Sequence, residues 1–337
     1  MVLTGLAILA SAALCAGLIL LLRPLLARYA LARPNARSSH TAPTPQGGGI
    51  AVVAAALAVA TGALFAGPSG GPAGEWAAVA AMTLVLAAVG AVDDIRPLPP
   101  ALRLLAQALA VGAVVLAAGE ARLLPGAPPW LERALAVVAG VWFVNLVNFM
   151  DGIDWITIAG MAPAAAALAT FGLIGAIGPD VALAAAALLG ALLGFAPFNK
   201  PVARLFLGDV GSLPIGLLVA WMLYRLALDG ALAAALLLPL YHVADATITL
   251  LRRLARGERV WEAHRTHFYQ QATANGFSVM QVSGHVLALN LALAGLAALT
   301  LAWPAWPAQL GALAVGCALT GLVLARFATP RENRIAA

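Results

Sequence analysis

The sequence predicts an all-α protein, a polytopic membrane helix bundle of about eleven transmembrane helices. Three observations carry that prediction. First, 63% of the 337 residues are hydrophobic and 10% are charged, where a soluble domain has about 45–50% and about 25%. Second, the mean hydropathy is +0.95, and the apolar residues gather in blocks of about 20, the length that crosses a bilayer core. Third, the blocks are continuous in Ala and Leu, without the alternation of barrel strands. In hydrocarbon only helices and closed barrels satisfy their own backbone, so helices remain.

The blocks fall at residues 2–22, 48–66, 76–92, 102–119, 133–149, 156–177, 180–197, 212–228, 230–251, 283–303 and 307–325. The first reads as a retained span, since Leu14 before Cys15 is too large for a lipoprotein cleavage site. Cys15 and Cys317 both lie inside apolar blocks, which argues against a disulfide framework or a zinc cluster. The longest connections, 23–47 and 252–282, are too short for a second soluble unit, so residues 1–337 read as one integral-membrane domain.

Basic residues orient the bundle. With the N-terminus outside, only Arg122, Arg133 and Arg225 of the 19 Lys and Arg residues fall on outer loops, and the other 16 fall inside. The expected topology is N-out and C-in. The positive charge is then a topology signal and an attraction for anionic lipid head groups, not a nucleic-acid surface.

Polar residues collect at the inner span ends: Pro43 to Gly49, Asp93-Asp94, Asn145 to Asp154, Gly208 to Ser212, and His264 to His267. Carboxylates near a membrane are costly unless paired, wetted or metal-bound, so Asp93, Asp94, Asp151, Asp154 and Asp209 point to function. Gathered in one place they repel unless a cation sits among them. With no thiolate nearby and more carboxylates than histidines, the expected ion is Mg2+, with Mn2+ as an alternative. Arg and His beside such an ion imply an anionic substrate, phosphate above all.

Five strings carry a resemblance: His40-Thr-Ala-Pro-Thr-Pro-Gln-Gly-Gly-Gly49, Val92-Asp-Asp94, Asn148-Phe-Met-Asp-Gly-Ile-Asp154, Phe206-Leu-Gly-Asp-Val-Gly-Ser212 and Ala263-His-Arg-Thr-His-Phe-Tyr-Gln270. In their order and at span ends, they resemble the motifs of the polyprenyl-phosphate N-acetylhexosamine-1-phosphate transferases. That family includes the phospho-N-acetylmuramoyl-pentapeptide transferase of peptidoglycan synthesis and the enzymes that initiate O-antigen. The resemblance covers about residues 23–270. Eleven spans, and the His-Arg-Thr-His form at 264–267, resemble the O-antigen-initiating branch more than the ten-span peptidoglycan branch. Two positions depart from the family pattern. Trp155 stands where Gly is usual, and Arg103 where a Lys is common.

The resemblance implies transfer of a sugar-1-phosphate from a UDP-N-acetylhexosamine to undecaprenyl phosphate at the cytoplasmic face of a bacterial inner membrane, with Mg2+. It implies catalytic roles for Asp93, Asp94 and Asp151, and metal contact by Asp209 and Asp154. Asn148, Arg103, His264, Arg265 and His267 are expected to bind substrate. Gly48, within Gly47-Gly48-Gly49, reads equally as a phosphate cradle at a helix start or as a tight helix contact, and His40 reads as lining the site. Asp245 and Arg252, seven apart on one helix face, read as a buried ion pair. A homodimer is compatible with this reading. The rival classes are an anion transporter, against which the one-sided placement of the acids argues, and an inactive scaffold of a glycan-assembly complex.

Overall fold

The computed structural model describes residues 1–32, 43–67, 74–260 and 264–331. Among these the regular structure is helical save for one two-residue antiparallel ladder, β1 (Leu31–Ala32) with β2 (Thr44–Pro45), and an isolated bridge between Gln46 and Phe206. The helices are α1 (Val2–Tyr29), α2 (Gly48–Ala66), α3 (Gly74–Ile95), α4 (Pro100–Ala117), α5 (Pro129–Phe149), α6 (Ile156–Leu173), α7 (Pro179–Asn199), α8 (Asp209–Leu228), α9 (Leu232–Leu237), α10 (Leu240–Ala255), α11 (Phe268–Ala274), α12 (Val279–Ala302) and α13 (Trp306–Ala328). Proline opens α4, α5 and α7, where its missing N–H costs nothing and its fixed φ suits a first turn.

Ten of these helices are long and apolar enough to cross a membrane. The expected ninth span, 230–251, is the exception. It breaks at Leu238-Pro239 into α9 and α10, because Pro239 has no N–H to continue the ladder and its ring crowds the preceding turn. The second piece, α10, buries only one stripe, with Tyr241, His242, Asp245, Ala246, Thr249 and Arg253 inward. Ten of the eleven expected spans are therefore single helices, and the ninth is a broken pair whose second helix is amphipathic.

Helices α6, α7 and α8 form the interior, with α3 and α5 flanking α8 and with α1 and α2 on α7. Without a hydrophobic drive between helices in lipid, close backbone approach holds them. A Cβ on Gly190 would meet the Ile8 carbonyl oxygen at 2.2 Å, and one on Gly194 the Ala12 carbonyl oxygen at 2.4 Å. The three arginines expected on outer loops are each ion-paired. Arg122 Nε donates to Glu132 at 2.6 Å, Arg133 lies 3.7 Å from Glu120, and Arg225 lies 3.4 Å from Glu75. Trp130, Trp303 and Trp306 are exposed at helix ends, as interface anchors are.

Candidate active site

Stretches far apart in the chain meet at one end of the bundle. Helix α3 stops just past Asp93 and Asp94, since Pro97, Pro99 and Pro100 follow within two turns. The chain re-enters as α4, and Arg103 reaches back so that its Nη1 donates to Asp93 Oδ2 at 2.7 Å. Asp93 also accepts the N–H of Leu98. The Asp93 and Asp209 carboxyls lie in hydrogen-bonding contact, and Arg103 Nη1 is 3.9 Å from Asp209 Oδ2. Two carboxyls this close share a proton or a cation.

Asp94 points elsewhere. Its carboxylate accepts the backbone N–H groups of Asp209 at 2.9 Å and Val210 at 3.1 Å, and the side-chain amide of Gln46. It caps α8 from a neighbouring helix. Gly208 makes this geometry available, with φ 78, and a Cβ there would lie 2.6 Å from Asp94 Oδ2. Asn148, in the last turn of α5, donates to Asp209 Oδ1 at 2.8 Å and to Ser212 Oγ at 2.9 Å. Asp151 follows in the turn before α6 and accepts a hydrogen bond from the Thr157 hydroxyl. Burial pushes its carboxyl up to about 7, and the charges of Asp94 and Asp154 add to the effect.

The fifth string approaches from the other side. His264 and His267 lie with ring centroids 4.8 Å apart, and His267 stacks on Tyr269 at 5.8 Å. Tyr269 donates its hydroxyl to the Phe149 carbonyl at 2.9 Å. Asp245, fully buried in α10, organises this segment. It accepts the N–H groups of Phe268 and Tyr269 at 2.9 and 3.1 Å, and it meets His267 Nδ1 at 3.3 Å. The expected Asp245–Arg252 ion pair is corrected, because Arg252 instead lies over the Phe268 ring at 4.5 Å. The capping N–H groups supply the partial positive charge that a buried carboxylate needs.

These groups face a cavity of about 1520 Å3. Asp93, Arg103, Asn148, Asp151, Asp209, His264 and His267 line its polar part. Its apolar wall runs along α4, α5 and α10 past Leu104, Ala108, Val137, Val141, Trp142 and Leu250. From Asn148 back to Val137 this wall extends about 16 Å along α5, at 1.5 Å per residue.

The model of glycosyl transferase family 4 matches residues 76–227, from α3 to the end of α8. A phospho-N-acetylmuramoyl-pentapeptide-transferase of Synechococcus sp. (strain JA-3-3Ab) is 33% identical over 87% of this chain and 89% of its own length. Enzymes of the same name from Synechococcus sp. (strain JA-2-3B'a(2-13)) and Mycobacterium sp. (strain KMS) are 33% and 30% identical, over 78% and 67% of this chain and 82% and 76% of their own lengths. The chain belongs to glycosyl transferase family 4. The stretch matched by the family 4 model holds Asp93, Arg103, Asn148 and Asp209, and ends before the histidine segment.

Four expected site residues lie outside the cavity of this family 4 chain, Asp94 against the start of α8 and three others. The Asp154 carboxylate turns away and accepts the Ala203 N–H at 2.9 Å, inside the loop between α7 and α8. Gly48 is buried in a helix contact. Its N–H donates to the Phe206 carbonyl at 2.9 Å, and a Cβ would strike Phe195 at 2.6 Å. With that N–H occupied, the contacts of Gly48 are those of tight helix packing. Arg265 is exposed and does not line the cavity. His40 falls outside the described residues.

Trp155, at the position where the family pattern has Gly, takes the conformation a glycine would, with φ 65. Its N–H donates to Asn199 Oδ1 at 2.8 Å and its indole N–H to the Ala196 carbonyl at 2.7 Å, which holds the strained turn against α7. Sequence reasoning gave no site role to Thr157, left Gln46 and Gln270 unassigned inside their strings, and gave Asp245 a different partner. Gln270 lines the cavity, is 8% exposed, and its Oε1 has no hydrogen-bond partner. Its place in the fifth string was the available signal.

Among the described residues, no three His, Cys, Asp or Glu side chains stand together as a ready metal centre. The donor set at the cavity is the Asp93–Asp209 pair. That pair suits Mg2+, which takes one or two carboxylates and completes its octahedron with waters and substrate phosphates.

Proposed function

We propose that this chain transfers a sugar-1-phosphate from a UDP-N-acetylhexosamine to a polyprenyl phosphate, releasing UMP. The observation that carries the reading is one cavity with a carboxylate–arginine–histidine end and an apolar wall along three helices. A phosphorylated isoprenoid has the same two characters. Its chain suits the wall between α4, α5 and α10, and its phosphate the end beside Arg103. The excess of basic residues on the expected inner loops supports a cytoplasmic position for that end, at a bacterial inner membrane.

In the reaction, an oxygen of the lipid phosphate forms a bond to the sugar-bearing phosphorus of the donor. The bond from that phosphorus to the bridging oxygen breaks, and UMP departs with the electron pair. Mg2+ bound at Asp209 and Asp93 would supply charge neutralisation for the diphosphate. Arg103, held by Asp93, presents its remaining donors to phosphate as a fork. Asn148 keeps the Asp209 carboxylate oriented. His264 and His267 stand across the cavity as donors to the diphosphate or sugar. A phosphate's second pKa is near 6, so the attacking oxygen is largely ionised at neutral pH and alignment is the larger contribution.

The form of the histidine segment favours an N-acetylhexosamine donor of the O-antigen type. The names of the relatives favour the second reading, a donor carrying phospho-N-acetylmuramoyl-pentapeptide. Ten unbroken candidate spans and a broken ninth make the span count favour neither branch. Purified protein is mixed with polyprenyl phosphate, Mg2+ and each donor in turn, and UMP and the lipid product are followed by mass spectrometry. Lipid-linked sugar diphosphate from one donor establishes the reaction and its branch. Vesicle uptake of a solute with no UMP from any donor overturns it.

A further inference from the structure

Helix α11 carries Tyr269 and Gln270, which line the cavity, and it is preceded by His267, which also does. It is only 7 residues long, too short to be stable by itself in water. Something must hold each end. Asp245 holds the first, through the N–H groups of Phe268 and Tyr269.

The far end is held by residues that line no part of the cavity. The Asn275 side-chain amide donates to the Phe327 carbonyl at 2.7 Å, and the Arg331 N–H returns to the Asn275 carbonyl at 3.0 Å. Arg326 and Arg331 both lie over the ring of Phe277, each with its guanidinium carbon 4.8 Å from the ring centre. Arg331 Nη1 donates to Gln281 Oε1 at 2.8 Å, and Gln281 also closes the capping box that starts α12. Phe277 is 5% exposed and packs edge-on against Phe327, which is fully buried. The turn Asn275-Gly276-Phe277 therefore sits between two arginines and the end of α13.

We propose that segment 326–331 is a clamp that positions α11, and through it His267, Tyr269 and Gln270, for substrate. Arg331 and Phe277 are its positioning residues. The inference rests on the proposed transferase reading for its kinetic consequence, and on the structure alone for its mechanical one. A loosened clamp lets α11 pivot about Asp245, and affinity falls without loss of the carboxylate pair.

The test compares full-length wild type in detergent with Arg331→Ala, Arg331→Lys, Phe277→Ala and Phe277→Tyr. Hydrogen–deuterium exchange is read at α11 and, as a control, at the start of α8. Arg331→Ala should speed exchange of the α11 amides by about 2- to 5-fold, the loss of one cation–π contact. Phe277→Ala should speed it more, because both contacts and the ring's packing go. Both should leave the α8 peptide unchanged. KM for the sugar nucleotide should rise by a similar factor while kcat holds. The Lys and Tyr variants, which keep the cation and the ring, should restore both. Unchanged α11 exchange in both alanine variants overturns the clamp, as does faster exchange of α11 and α8 together. If the wild type releases no UMP, the transferase reading fails, and the exchange result still decides the clamp.

Discussion

The backbone N–H of Asp209 donates to the carboxylate of Asp94 at 2.9 Å, so the second aspartate of the pair at the end of α3 anchors the helix whose first residue puts a carboxylate into the cavity. Two adjacent residues thereby do different work. Asp93 faces Arg103 and the cavity, and Asp94 faces the backbone of α8.

That division predicts opposite signatures. Asp94→Ala removes the acceptor of two helix N–H groups and should cost about 1–2 kcal/mol of stability, the value of a helix cap. It should appear as a lowered melting temperature, with residual UMP release below that temperature. Asp93→Asn and Asp209→Asn should leave melting nearly unchanged and abolish release. Normal activity in Asp209→Asn would remove the metal assignment.

Asp151 gives a pH prediction. Burial raises its carboxyl from 3.8 to about 7 in the folded chain, so the folded state holds this proton more tightly than the unfolded chain does. The resulting stability is complete below pH 3.8 and is lost as pH climbs through the interval to about 7. Asp151→Asn cannot ionise, so its melting temperature relative to wild type should improve across that interval and level off above it. A difference that stays flat with pH contradicts this placement of the carboxyl.

Trp155 carries backbone strain that its ring offsets. Trp155→Gly relieves the positive φ, whereas Trp155→Ala keeps it, and both lose the indole bond to Ala196. The alanine variant should therefore melt below the glycine variant, by about 1 kcal/mol. The reverse order would mean that the turn is unstrained.

Gly152 lies under the α11 segment, where a Cβ would meet the Tyr269 hydroxyl at 2.2 Å and the Gln270 amide nitrogen at 2.9 Å. Tyr269 is fully buried and has no room to yield. Gly152→Ala should displace both side chains, cost about 1–3 kcal/mol as an overpacked contact, and cut UMP release more than it lowers expression. Full activity would show that Gln270 takes no part in the site.

The spans other than the ninth were legible because a run of about 20 apolar residues has one stable solution in hydrocarbon. Membership of the family was legible because carboxylates at a membrane face are too costly to keep without use, and five strings held them in order. Asp93, Asn148 and Asp209 were named from those strings and Arg103 from the basic position that follows Asp93-Asp94 in the family pattern, and the structure gathers them around one cavity. What the sequence left open was direction. Asp93 and Asp94 are chemically identical neighbours, and Asp151 and Asp154 share one turn, yet one of each pair faces the cavity and the other binds a backbone N–H. The broken ninth span, the partner of Asp245 and the packing use of Gly48 were likewise fixed by three-dimensional neighbours. Composition and period report how much apolar surface a segment must bury. Only the packed bundle decides which N–H or guanidinium stands opposite a given carboxylate, because those partners come from helices tens of residues away.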